Sequence, residues 1–204
     1  AAIIISLNMQ TQAIDEITMQ YLSGALHQAQ LLNIEIITIF FSMISHLTPE
    51  EITRYLQSQG ITGILICGIT KESKNLHQLI ESRVFKCVVI DAPFTNESTS
   101  SVGIDHEQAQ YDVAKKTIVE NSCKRILYIA GKRNGYVTDE RIKGIKRLAQ
   151  DLKLTVLLRD GAFSEKTARE ITFKYAKNKD AVVCASDLMA IGAMNALTEM
   201  DIFR

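Results

Sequence analysis

What the sequence lacks narrows it first. Two prolines in 204 residues are too few for a Pro-rich linker protein, and 47% hydrophobic residues exclude a disordered chain. The 23 basic and 23 acidic side chains cancel, so these residues alone carry no basic field for gripping nucleic acid. No apolar run approaches the roughly 18 residues of a membrane span. The start, AAIIISLNM, is short and lacks the basic flank of a signal peptide. Glycine is not arranged as G-x-G-x-x-G, as G-x-x-x-x-G-K-[ST] or as G-x-S-x-G, so no dinucleotide fingerprint, phosphate loop or nucleophile elbow is present. His27, His46, His77 and His106 are isolated, and Cys67, Cys87, Cys123 and Cys184 show no C-x-x-C spacing. The cysteines read as buried free thiols, which suits a reducing cytoplasm. No catalytic residue, metal site or cofactor is expected, and the chain is read as a non-enzyme.

What is there is a regular alternation. Short β-branched runs recur at 2–6, 34–41, 63–67, 87–91, 101–104, 125–130, 155–159 and 181–185. Between them lie amphipathic stretches. In the first, at 14–32, Ile14, Ile17, Tyr21, Leu22, Ala25, Ala29 and Leu32 fall at helical spacing. Thr48-Pro49-Glu50-Glu51 reads as an N-cap, a Pro at the first helical position and acids in the first turn. Gly60 should end that helix. Further helices are expected at 73–82, at 106–121 behind an Asp105 cap, near 139–151, from Ser164, and at 187–200. Strands alternating with helices imply parallel sheets flanked by helices, and nearly continuous apolar strands imply burial on both faces. Eight strands and seven helices crowd one sheet. The expected fold is therefore α/β with two lobes, each a parallel sheet flanked by helices. The polar loop 95–101 and the turn at Asn121-Ser122 suggest lobes of 1–121 and 122–204. Any ligand should sit outside the carboxyl ends of the strands.

Three stretches resemble the LacI/GalR family of bacterial transcription regulators. They are SVGIDHEQAQYDVAKKTIVENSCKRILYIAG (101–131), ERIKGIKRLAQD (140–151) with its R-x-x-G pattern, and CASDLMAIGAMNAL (184–197), the most specific. In the first, Asn121-Ser122 stands where the family usually has Gly, and Asn tolerates the left-handed conformation that such a turn requires. The last two motifs are shared, more loosely, with periplasmic sugar-binding proteins, which makes a periplasmic receptor of a transporter the competing reading. The resemblance implies a periplasmic-binding-protein-like fold holding a small effector, commonly a sugar, sugar phosphate or nucleobase, between the lobes. It also implies a cytoplasmic homodimer that meets operator DNA through an amino-terminal head absent from these residues. The family's closing portion is absent too, which makes the second lobe incomplete.

The resemblance also nominates residues. Arg141 matches the R-x-x-G arginine that hydrogen-bonds the effector. A rigid guanidinium fork suits adjacent hydroxyls or a carboxylate, and the competing reading is a solvated charge in a first helical turn. Phe163 stands where relatives place an aromatic against the ligand, or is a staple before a helix. Ser186 matches a ligand-contacting position, with helix capping as its alternative, and Asp187 is the expected cap of that helix. Asn8 and Thr11 lie in the loop after the first strand, Thr11 reading as solvated. Gln108 aligns near a polar position facing the effector, against the default of an exposed helix residue. Asp91 ends a strand and could line the site or form a turn. Phe40, Phe41 and Met43 suggest either a subunit contact or one ring turned inward and one against a helix.

Overall fold

The computed structural model describes residues 1–5 and 16–202. It divides into two compact units, Ala1–Gly103 and Ile104–Arg204.

The first unit is built on five parallel strands: β1 (Ala2–Ile5), β2 (Ile37–Phe40), β3 (Gly63–Cys67), β4 (Lys86–Ile90) and β5 (Thr99–Val102), in the order β2-β1-β3-β4-β5. The order reverses between β1 and β3, the kind of switch point where open α/β sheets take ligands. All four residues of β1 are buried, because it pairs with a strand on each side and is covered on both faces. The intervening helices are α1 (Glu16–Leu31), α2 (Phe41–Ile44), α3 (Pro49–Ser58) and α4 (Lys74–Glu81). Helix α3 starts as its sequence requires. Thr48 Oγ1 accepts from the Glu51 N–H at 3.3 Å, and Glu51 Oε2 accepts from the Thr48 N–H at 2.8 Å. It ends at Gly60, which adopts φ +68°. The expected strand 34–41 is shorter, because Phe41 opens the one-turn α2. Phe40 turns inward onto Ile3, Ile5 and Cys67, while Met43 stays exposed. On α1 the core face runs through Leu22, Ala25 and Ala29, whereas Ile17, Tyr21 and Leu32 of the expected stripe remain exposed.

The second unit comprises α5 (His106–Glu120), β6 (Arg125–Ala130), α6 (Tyr136–Leu152), β7 (Thr155–Asp160), α7 (Glu165–Tyr175), β8 (Ala181–Cys184) and α8 (Asp187–Glu199). Its sheet is parallel, in the order β7-β6-β8. Central β6 carries the core, with Ile126, Leu127, Tyr128, Ile129 and Ala130 fully buried. Two glycines set the helix spacing. A Cβ on Gly144 would run into the Glu107 carbonyl oxygen of α5, and one on Gly192 into that of Glu165, the first residue of α7. Bare backbone at these positions lets α6 close on α5 and α8 close on α7.

The boundary between units falls after Gly103, 18 residues before the one read from the sequence. Helix α5 was expected to finish the first lobe but is fastened inside the second unit. Tyr128 donates to Gln110 Oε1 at 3.2 Å, Tyr111 donates to Asp151 at 2.8 Å, and Arg147 pairs with Glu107 at 2.6 Å. The Asn121-Ser122 turn is thus a helix terminus within one body. There the left-handed residue is Ser122 (φ 52°), while Asn121 keeps φ −106° and donates its side-chain amide to the Thr117 carbonyl.

Candidate functional site

The carboxyl ends of β6, β7 and β8 open into three short connections, each leading into the next helix. The β8–α8 connection is only Ala185-Ser186. Ser186, in extended conformation, accepts the Met189 N–H on Oγ at 3.4 Å and is the N-cap of α8. Asp187, the expected cap, is instead the exposed first residue of the helix, where its charge complements the helix dipole.

Arg141 projects from α6. That helix begins at Tyr136, earlier than residue 139, so Arg141 sits in the second turn and clear of the unfavourable N-terminal charge. Its side chain is half-buried. Nη1 donates to the Ala185 carbonyl at the end of β8, and Nη2 lies 3.4 Å from His106 Nδ1 on α5. One guanidinium thus ties α5, α6 and the β8–α8 connection together. Beneath it lies a buried polar floor. Tyr128 has no exposed surface, and burial pushes its phenol well above the ordinary value even though the Arg141 charge pulls the other way. Burial likewise raises the Cys184 thiol to about 12, which keeps it a protonated thiol.

Phe163 lies in the loop after β7. Both Ala162 (φ 54°) and Phe163 (φ 56°) are left-handed, each conformation costing a non-glycine residue about 1–2 kcal/mol. The loop is held at both ends. The Gly161 N–H donates to the Ala130 carbonyl at 2.8 Å, and Ser164 Oγ accepts the Thr167 N–H at 3.2 Å, capping α7 as expected. The result seats the Phe163 ring over Gly131, where any side chain would collide with it. Strained backbone of this kind concentrates at ligand sites.

The structure therefore brings Arg141, Ser186 and Phe163 to the same end of one sheet, with Asp187 beside Ser186. Gln108 is not in this group. It is exposed on α5, where its amide donates to Asp112 Oδ1 at 2.9 Å and its carbonyl accepts from Arg147 at 2.6 Å. Asp91 belongs to the first unit. It follows β4 in a left-handed conformation (φ 54°) and accepts the Tyr21 hydroxyl on Oδ2 at 2.9 Å. Asn8 and Thr11 lie outside the described residues.

Sequence reasoning missed His106, Gln110 and Tyr128. A usable signal existed. The buried positions of α5 are His106, Gln110, Ala114 and Ile118, one stripe at intervals of four, and its first two members are polar. Polar residues on a core-facing stripe need partners in the core.

Comparison with known proteins decides the family. Residues 19–202 match the family of periplasmic binding proteins and the sugar binding domain of the LacI family. The chain belongs to that family, as a LacI-type effector-binding domain. The HTH-type transcriptional repressor PurR of Haemophilus influenzae is 26% identical over 168 residues, which cover 78% of this chain and 49% of PurR. This LacI-type chain spans about half the length of the curated relatives it matches. A LacI-family regulatory protein from Chloroflexus aggregans shares the fold with a TM-score of 0.80 at 22% identity, over 98% of this chain and 73% of that one. The transcriptional regulator CelR in complex with cellobiose aligns with a TM-score of 0.81 at 22% identity, over 98% of this chain and 62% of CelR. No group of three or more His, Cys, Asp or Glu side chains that could hold a metal occurs among the described residues, and no described helix is long and apolar enough to cross a membrane.

Proposed function

We propose that this domain is the sensor of a cytoplasmic transcription regulator and binds a small carbohydrate at the carboxyl ends of β6, β7 and β8. The observation that carries the reading is the Arg141 guanidinium. It is fixed by the Ala185 carbonyl and His106, and these engage two of its five N–H donors. The remaining fork can hold vicinal hydroxyls or a carboxylate. Phe163 supplies an aromatic face for the apolar side of a sugar ring. Cellobiose in the CelR complex supports a carbohydrate as the ligand class. Ser186 and Asp187 border the same site. Gln108, committed to Asp112 and Arg147, is its weakest proposed contributor.

The domain works by binding, without turnover. Effector favours one conformation of the protein, and a helix-turn-helix head of the kind named in the relatives reads that conformation as a change in operator affinity. The working regulator is proposed to be a homodimer. Titration calorimetry with cellobiose, glucose 6-phosphate and hypoxanthine tests the ligand class. Saturable heat with a sugar is expected, and no heat with either sugar overturns the carbohydrate reading. A gel-shift assay of the longer protein on its operator should respond to the same ligand. An operator affinity indifferent to a ligand that binds overturns the regulatory role.

A further inference from the structure

We infer that His106 is a positioning residue for Arg141. Its neutral imidazole, with the proton on Nε2, holds the guanidinium in its ligand-ready pose. The inference rests on reading Arg141 as a ligand-binding group.

His106 is the first residue of α5, a place where side chains usually face water, yet only 8% of it is exposed. The burial comes from the stripe it shares with Gln110, Ala114 and Ile118. One helical turn on, Gln110 accepts the Tyr128 hydroxyl. Helix α5 therefore presents two acceptors in succession to the floor of the site, Nδ1 of His106 toward Arg141 and Oε1 of Gln110 toward Tyr128. A guanidinium has only donors. The Nδ1 contact at 3.4 Å can be a hydrogen bond only if Nδ1 is unprotonated, which places the neutral ring's proton on Nε2. Asp105 fixes where His106 stands, because its carboxylate accepts the Gln108 N–H at 2.8 Å and caps the helix. Gly144 brings α6 within reach, since any side chain there would strike the α5 backbone at Glu107. Without the His106 acceptor, the Ala185 carbonyl is the one hydrogen-bond partner left to Arg141 among the described residues, and its guanidinium can rotate about that anchor.

Nitrogen NMR on the 204-residue chain tests this without a ligand. Two-bond proton–nitrogen correlations should show neutral His106 as one tautomer, with the proton on Nε2. The Arg141 Nη signals should be distinct in the native chain and in His106→Asn, whose amide oxygen replaces Nδ1 as acceptor, and should average in His106→Leu. A proton on Nδ1, or Arg141 signals unchanged in His106→Leu, overturns the inference. Calorimetry with cellobiose then reads the consequence. His106→Leu should bind about tenfold more weakly, the scale of one lost hydrogen bond to a charged group, and His106→Asn should bind nearly as the native chain does. Equal binding by all three overturns the functional part of the inference. If the tautomer and Arg141 results hold but the native chain binds no sugar, the positioning stands and the carbohydrate reading fails.

Discussion

Ala162 and Phe163 are paired left-handed residues without the glycine that would relieve the strain. Ala162→Gly should therefore raise stability by about 1 kcal/mol in urea unfolding, because Gly adopts φ near 54° freely. A loss of stability would show that the backbone there is not strained. At Ser186, replacement by Ala should cost about 1 kcal/mol through the lost cap of α8. Removal of the hydroxyl would also weaken ligand binding if Ser186 touches the ligand. A stability loss with unchanged affinity would leave it a cap alone. Legibility at this scale was uneven. Arg141, Phe163 and Ser186 were found through motif resemblance, and the structure gathers them at one sheet end. Which of Ser186 and Asp187 caps α8 was not legible, because either can cap and the backbone decides which one stands at the extended position. His106 was dismissed as isolated, since its partner Arg141 lies 35 residues away.

Helix pairing depends on Gly144 and Gly192, which serve close approach rather than turning. Gly144→Ala should destabilise by about 3 kcal/mol, at the upper end for overpacking, because the atom it meets is backbone and cannot swing aside. An unchanged urea midpoint would contradict the close α5–α6 contact. At the opposite end of this sheet from Arg141, Asp180 accepts from the Lys124 and Arg125 N–H groups at 2.9 and 2.7 Å and from the Arg125 guanidinium at 2.7 Å. The Arg125 side chain foremost, and then these backbone donors, hold its carboxyl far below the usual aspartate range. A depressed folded-state value means stabilisation that is present above the unfolded aspartate range and lost as pH falls through it. Melting temperature should therefore drop more steeply for the native chain than for Asp180→Asn between about pH 5 and pH 2. Parallel slopes would remove Asp180 from the acid limb. Most elements were legible from periodicity and caps, including α3 with its Thr48-Pro49 start and α7 with Ser164. The start of α6 was not, because Gly135 caps it without a side chain and leaves no sequence mark.

For the whole molecule, the parallel α/β plan follows from strand–helix alternation and was read correctly, as was membership in the LacI-type family. The unit boundary was not. Composition points to Asn121-Ser122, but a boundary is defined by contacts across the chain, and α5 makes its contacts with α6 and β6. That reassignment matters for function, since it puts His106 and Arg141 in one body. The central claim is that Arg141 holds the ligand at this sheet end. It is tested most directly by calorimetric titration of cellobiose into the native chain and into Arg141→Ala. The account predicts at least about tenfold weaker binding in the variant, the loss of a charge-assisted hydrogen bond. Equal affinities in a variant that melts like the native chain would contradict it.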